Sequence, residues 1–153
     1  MKSITGNLIT LAQEGHFDVI VHGCNCFHVA GAGVARGVRE NFPEAYAADR
    51  RTPEGDRGKL GSVSHAEVET AHGRLVVVNG YTQYNFTGEG VLVDYEAVRG
   101  VMREVKGRWG GKRIGYPRIG AGLARGDWEI ISAIIDEELA GEDHTLVEFQ
   151  VSR

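Results

Sequence analysis

The chain has 153 residues, a length that suits one domain with its own hydrophobic core. Its hydrophobic fraction of 42% and charged fraction of 25% are close to those of ordinary globular proteins, so disorder is not expected. The formal net charge of -4 lacks the basic excess of proteins that bind nucleic-acid backbone generally, so we predict no general nucleic-acid binding.

No apolar run approaches the roughly 20 residues that a membrane-spanning helix needs, and the first ten residues lack the apolar core of a signal peptide. We therefore expect a cytoplasmic protein without a membrane partner. Cys24 and Cys26 are the only cysteines, and one residue separates them. A disulfide between such close neighbours would add little to the stability of the fold, so the cysteine content is consistent with a reducing compartment.

In chain order the sequence predicts a strand over 18–25, helices over 33–42 and 44–51, strands over 61–70 and 74–82, a helix over 94–109, a strand over 113–119, a helix over 127–139 and a strand over 144–151. The turn signal at 71–73 predicts a hairpin. Asp94 and Asp127 are fitting N-caps for their helices. Strands that mostly alternate with helices predict an α/β architecture, with helices on both faces of a mostly parallel or mixed sheet.

Four potential metal ligands lie within seven residues: His22, Cys24, Cys26 and His28. In an extended strand, however, His22 and His28 would be about 20 Å apart, so one ion cannot contact both unless the chain folds back. A redox dithiol usually has two residues between its cysteines, whereas this pair has one. We predict no metal site and interpret both cysteines as small packing residues.

A glycine-rich segment, "GAGVARGV", follows that strand and opens the predicted helix over 33–42. Glycines let backbone N–H groups approach a ligand, and a helix N-terminus adds partial positive charge, so the segment predicts an anion site. A second segment, "YPRIGAGLARGDW", has a similar order. Two such loops at the carboxyl ends of strands would grip a diphosphate. Neither matches a Walker A motif or a full dinucleotide fingerprint.

At this point the sequence resembles the macrodomains, a family of ADP-ribose-binding modules. "TGNLI", "DVIVHGCNCFHVAGAGVA", "YTQ" and "YPRIGAGLARGDWEII" occur in the family's order, over nearly the whole chain. Within the family it looks most similar to the branch of ADP-ribose-1''-phosphate phosphatases. The resemblance implies a single macrodomain over 1–153, a three-layer α/β/α fold with a central mixed sheet of about six strands, and no cofactor.

The resemblance also implies a set of ligand-binding residues. Asn7 and Leu8 would contact adenine, although most macrodomains have Asp at the position of Asn7. Asn25 would contact the distal ribose, and Thr82 would line the same pocket. The two diphosphate loops would be formed by Gly31, Ala32, Gly33 and Val34, and by Gly120, Ala121, Gly122, Leu123 and Ala124.

The chemistry that the resemblance implies depends on side chains that this sequence has and lacks. Family hydrolases that use an Asp after the first loop would have it where this chain has Ala35. A second group uses a Lys together with an Asp after "GxGL", whereas this chain has Ala124 at the Asp position and no Lys in "NGYTQY". Both mechanisms therefore lack their named side chains here. His22 and Asn25 remain as candidate catalytic residues. The pKa of an ordinary imidazole is about 6.5, so His22 could act as a general base or acid near neutral pH, while Asn25 would orient the distal ribose.

Three hypotheses follow. The protein hydrolyses ADP-ribose 1''-phosphate, or it removes ADP-ribose from protein or nucleic acid, or it is a non-catalytic reader of ADP-ribose.

Overall fold

The computed structural model describes residues 1–150, so the last residue of the strand predicted over 144–151 lies outside it. One six-stranded sheet forms the centre. Its strands are β1 (Lys2–Gly6), β2 (Val19–Cys24), β3 (Val63–Thr70), β4 (Gly73–Tyr81), β5 (Ile114–Tyr116) and β6 (His144–Phe149). The α-helices are α1 (Leu8–Gln13), α2 (Gly33–Asn41), α3 (Pro43–Arg50), α4 (Tyr95–Trp109) and α5 (Trp128–Glu138), and a short 3₁₀ helix spans Arg57–Lys59.

The strand order is β1-β6-β5-β2-β4-β3. All neighbouring strands are parallel except β3 and β4, which form the predicted antiparallel hairpin. The sheet is therefore mixed, as the sequence predicts. The carboxyl ends of β5, β2 and β4 lie side by side at one edge, which is where open α/β sheets bind ligands.

The hydrophobic core has two parts, one on each face of the sheet. Val19 and Val21 pack in one cluster with residues of α4 and α5, whereas Ile20 packs in the other with residues of α1 and α2. Successive strand residues point to opposite faces, so β2 is covered on both sides. This confirms the three-layer α/β/α architecture.

The predicted helix caps are also present. The Asp94 carboxylate accepts a hydrogen bond from Ala97 N at 3.0 Å, and that of Asp127 accepts one from Glu129 N at 2.9 Å. Within residues 1–150, no helix combines the length and the apolar character needed to cross a membrane.

Candidate functional site

An open cleft of about 500 Å³ lies at the carboxyl ends of β2, β4 and β5. Its walls include ten of the residues that the sequence predicts for the site: His22, Asn25, Gly31, Ala32, Gly33, Val34, Gly120, Gly122, Leu123 and Ala124. Residues as far apart in the sequence as His22 and Ala124 therefore meet in one site, because the parallel strands end at the same edge of the sheet.

The first glycine loop connects β2 to α2 and is shaped by Asn25. The Asn25 Oδ1 accepts hydrogen bonds from Phe27 N at 2.9 Å and Val29 N at 3.4 Å, and its Nδ2 donates to Val29 O at 2.8 Å. The side chain is only 9% exposed. Its amide thus folds the loop around itself, and its contact with a ribose stays a prediction.

The glycines of the first loop leave room for a ligand. A Cβ added at Gly31 or Gly33 would meet no atom within 4 Å, and Gly33 has a φ of +60°, which other residues rarely adopt. The N-cap of α2, Ala32, has no side chain that could cap the helix. The first N–H groups of α2 consequently have no side-chain acceptor, which makes them donors for an anion.

The second glycine loop is closed on itself on one side and open on the other. Gly126 N donates to Gly120 O at 2.7 Å, and a Cβ at either of these glycines would lie 2.5 Å from the side chain of Val93. A Cβ at Gly122, by contrast, would point into open space. The Arg125 guanidinium donates to the carbonyls of Gly90 and Gly88, which ties the loop to the neighbouring segment.

The second loop does not lead directly into a helix, because α5 begins at Trp128 with Asp127 as its N-cap, in agreement with the helix predicted over 127–139. Residues 120–126 fold tightly against Val93, and the helix begins after this segment. Only the first loop opens straight into a helix N-terminus.

His22 is 4% exposed, and its Nε2 lies 2.7 Å from Asn79 Oδ1. Asn79 Nδ2 donates to Ala45 O and to Ser64 Oγ, so Oδ1 must be the acceptor and His22 Nε2 carries the hydrogen. Burial lowers the pKa of His22 below its usual 6.5, more than Asn79 and the negative charge of Asp49 raise it. The imidazole is therefore neutral at neutral pH, with Nδ1 as its remaining acceptor.

The two cysteines are held as thiols. Burial raises the pKa of Cys24 and of Cys26, and Cys24 Sγ lies 3.7 Å from His22 Nε2. No group of three or more His, Cys, Asp or Glu side chains converges anywhere in residues 1–150. Thiols with raised pKa values are poor nucleophiles and poor metal ligands.

Four predicted site residues lie outside the walls of the cleft: Asn7, Leu8, Thr82 and Ala121. Asn7 caps α1, accepting a hydrogen bond from Thr10 N at 3.1 Å, and the Leu8 side chain packs in the core. Ala121 packs against the other core cluster. Thr82 is 1% exposed, and its Oγ1 has no hydrogen-bond partner. Their contacts with a ligand stay predictions.

Sequence reasoning gave no role to two prominent cleft residues, Phe86 and Arg118. Arg118 follows β5 and makes several hydrogen bonds of 2.7 to 2.9 Å to the Glu148 carboxylate, which lowers the pKa of that carboxyl group. Phe86 stands three residues after Gln83, which also lines the cleft. The one available signal was an isolated aromatic residue just before the glycine-containing segment "TGEG".

No protein-family profile matches the chain. The sequence is 38% identical over 141 residues to an uncharacterized 17.5 kDa protein of Enterobacteria phage T4, from the tk-vs intergenic region, covering 89% of this chain and 88% of that protein.

Several solved structures share the fold. A Bacteroides thetaiotaomicron protein of unknown function is similar at a TM-score of 0.80 and 26% identity, over 99% of both chains. A macrodomain protein of Streptomyces coelicolor is similar at 0.72 and 23%, again over 99% of both. DarTG of Thermosipho africanus, solved in complex with ADP-ribose, is similar at 0.76 and 14% identity, over 100% of this chain and 43% of that one.

Proposed function

We propose that the cleft binds ADP-ribose, because the chain has the fold of the macrodomains and its sequence motifs resemble those of that family. One observation carries the proposal: two glycine loops face each other across the cleft, and Gly31, Gly33 and Gly122 have open space where a side chain would be. The ADP-ribose complex of the structurally similar Thermosipho protein supports it.

The diphosphate is the part of ADP-ribose that these loops fit. Its negative charge would be held by backbone N–H groups of the first loop and the first turn of α2, where the helix dipole favours an anion. The second loop would contact the other side of the diphosphate through Gly122 and its neighbours. Small residues are needed because the backbone itself makes the contacts.

Adenine would lie towards the β1 edge, where Asn7 follows the strand. Asn7 Oδ1 uses one lone pair on Thr10 N. A carboxamide with a second lone pair and two N–H hydrogens can accept from the adenine amino group and donate to a ring nitrogen. Asn7 would thus serve where most macrodomains have Asp, without a charged acceptor.

The reaction we propose is hydrolysis of ADP-ribose 1''-phosphate, in which water attacks phosphorus and ADP-ribose leaves as an alcohol. His22 is the candidate base through Nδ1, since Nε2 already donates to Asn79. Asn25 would orient the distal ribose from the first loop. The neutral imidazole at neutral pH supports this assignment, because only a neutral ring can accept a proton.

Two other functions fit the same cleft. Removal of ADP-ribose from a protein or nucleic acid is favoured by the open mouth of the cleft, which leaves room for a large attached group. A reader without catalysis is favoured by the hydrogen bonds of His22 and Asn25, which are both made within the protein.

Binding is tested with Gly122→Leu, whose side chain would enter the cleft. The matched control is Gly107→Leu in α4, where a Cβ also meets no atom within 4 Å but the residue lies outside the cleft. By calorimetry we expect Gly122→Leu to weaken ADP-ribose binding at least about tenfold, or about 1.4 kcal/mol, and Gly107→Leu to keep the wild-type affinity. Equal affinities of the two variants would contradict the proposal.

Catalysis is tested separately, by incubating the protein with ADP-ribose 1''-phosphate, ADP-ribosylated protein and ADP-ribosylated DNA and following products by mass spectrometry. Phosphate release that His22→Ala abolishes, with ADP-ribose affinity retained, would support the phosphatase. Turnover that His22→Ala leaves unchanged would remove His22 from the mechanism. Binding without any turnover would leave the reader.

A further inference from the structure

A surface loop beside the cleft contacts both glycine loops. It comprises residues 84–92, which we call the bridging loop, and an isolated antiparallel bridge between Gln83 and Val93 closes its base. Residues 85–91 are all exposed, so the position of the bridging loop depends on its contacts with its neighbours and not on burial. Compact surface loops whose ends lie close together are frequently functional.

The first half of the bridging loop contacts the first glycine loop. Cys26 N donates to Tyr84 O at 3.0 Å. The Phe27 ring packs edge-on against the rings of Tyr84 and Phe86, with 4.9 and 6.1 Å between centroids. Cys26 and Phe27 directly follow Asn25, whose amide shapes the first glycine loop. A movement of the bridging loop would therefore move the first glycine loop as well.

The second half of the bridging loop is tied to the second glycine loop through Arg125. Its Nε donates to Gly90 O at 2.6 Å, and its Nη2 donates to Gly88 O. Leu92 N adds a hydrogen bond of 2.8 Å to Ala124 O. A guanidinium presents its N–H groups in a fixed fork, so one side chain holds both glycine carbonyls in a single orientation. The second glycine loop and the bridging loop therefore hold each other in place.

The backbone of Arg125 is in a strained conformation. Its φ is +59°, and within residues 1–150 the only other residue except glycine with a positive φ is His28, at +62° in the first glycine loop. Arg125 N donates to Gly122 O at 3.0 Å, so the strained residue closes the turn that carries Gly122. Such strain persists only where the surrounding structure imposes it, and it concentrates at ligand-binding sites. The hydrogen bonds of the guanidinium supply that restraint.

We propose that Arg125 is a positioning residue that fixes the spacing between the two glycine loops through the bridging loop. The inference rests on the proposed binding of ADP-ribose and extends it. Arg125 lies outside the walls of the cleft, so it acts through Gly88 and Gly90 and not by touching the ligand. A diphosphate that contacts both loops binds more tightly when their spacing is set in advance, because binding then pays less to order either loop.

A double-mutant cycle on ADP-ribose affinity tests this connection. Phe27→Leu loosens the bridging loop from the first glycine loop, and Arg125→Gly releases it from the second while still allowing a positive φ. Each variant should weaken binding about tenfold in calorimetry. Once one end is free, release of the other end changes little, so the double variant should bind about as weakly as either single variant.

Two further variants separate this role from a general loss of stability. Arg125→Lys keeps the charge but lacks the fork, and it should restore part of the affinity that Arg125→Gly loses. Arg74→Ala removes an exposed arginine of β4 outside the cleft, so adding it to Phe27→Leu should cost no further affinity. Wild-type affinity in either Phe27→Leu or Arg125→Gly would overturn the inference, as would a double variant in which the two losses multiply.

Amide hydrogen exchange tests the same connection without a ligand. In Arg125→Gly, the Cys26 N–H should exchange at least about tenfold faster than in the wild type, because its acceptor, Tyr84 O, belongs to the released bridging loop. The buried Val77 N–H of β4 should keep its wild-type rate, which excludes a global loss of stability. Wild-type exchange at Cys26 would overturn the inference. If the wild-type protein binds no ADP-ribose, the proposed function itself fails, whereas the exchange rates still decide whether Arg125 connects the two loops.

Discussion

Four hydrogen bonds connect the cleft to a buried carboxylate. They run from His22 through Asn79, Ser64 and Tyr81 to Asp49, with distances of 2.7, 3.0, 2.8 and 2.7 Å. These side chains come from β2, β4, β3 and α3. A buried polar network of this kind is stable only when each member has a partner, so it holds the His22 ring in one orientation.

Asn79→Ala should expose how much this network contributes. The substitution leaves the His22 Nε2–H without its acceptor, whereas Ser64 Oγ loses one donor but keeps its hydrogen bond with the Tyr81 hydroxyl. An unsatisfied buried polar group costs about 1–3 kcal/mol. We expect the free energy of unfolding in urea to fall by about that amount. Asn85→Ala, at an exposed position, is the control and should change little. Nitrogen NMR of wild-type His22 should give the Nε2-protonated tautomer, and the Nδ1-protonated form would refute the assignment.

Thr82 offers a second test, because its buried hydroxyl has no partner among the described residues. A Cβ at Gly23, which lines the cleft, would lie 2.7 Å from Thr82 Oγ1. Replacing an unsatisfied hydroxyl by a methyl group of the same shape is neutral or stabilising, so Thr82→Val should keep or raise the melting temperature. If Thr82 contacts the ligand, the same variant weakens ADP-ribose binding. Wild-type affinity would show that the predicted ligand contact is wrong.

At the scale of elements, periodicity and caps predicted the hairpin and four of the five α-helices, because those segments have regular patterns and clear ends. The strand β1 and the helix α1 were not predicted from pattern. Lys2–Gly6 is mostly exposed at the edge of the sheet, so its residues show no alternation of apolar and polar side chains. Helix α1 has only six residues, too few to show a helical repeat.

The second glycine loop was recognised by its sequence, but its closure was not. The closure depends on Val93, which precedes α4 and lies far from the loop in sequence. Likewise, the partner of His22 is 57 residues away, and nothing in the pattern around either residue links them. Motifs of consecutive residues can be read from the chain, whereas contacts between distant segments need the fold.

Gly126→Ala should open this loop. The added Cβ would lie 2.5 Å from Val93 Cγ1 and 2.6 Å from the carbonyl oxygen of Gly120, and the backbone contact cannot relax cheaply. Overpacking of this kind costs about 1–3 kcal/mol, so we expect a lower melting temperature and weaker ADP-ribose binding. Gly122→Ala, which meets open space, is the matched control for stability. A Gly126→Ala protein with wild-type stability would contradict the described closure.

At the scale of the molecule, the alternation of strands and helices and the family resemblance correctly predicted the three-layer fold. They also placed most of the predicted site at one edge of the sheet, because the carboxyl ends of parallel strands meet there. The sequence did not predict which histidines are buried. His22 and His144 are both buried, and burial lowers the pKa of each below 6.5.

These two histidines make the stability of the whole protein dependent on pH. In the folded state they resist protonation, whereas in the unfolded chain they take up protons near the usual pKa of about 6.5. As the pH falls through 6.5 the unfolded state binds more protons, so the free energy of unfolding decreases until the lower folded pKa is reached. Their stabilising effect is thus complete above pH 6.5 and is lost in the acidic range.

We therefore expect urea unfolding to give lower stability at pH 5 than at pH 8, with part of the difference removed in His22→Gln. Glutamine keeps an N–H donor that can reach Asn79 Oδ1 but does not titrate. His16→Gln, at an exposed histidine, serves as the control and should keep the full pH dependence. The change in the free energy of unfolding between pH 8 and pH 5 that remains in His22→Gln should become smaller when His144 is also replaced. If the free energy of unfolding of His22→Gln depended on pH as strongly as that of the wild type, His22 would have the same pKa in the folded and unfolded states.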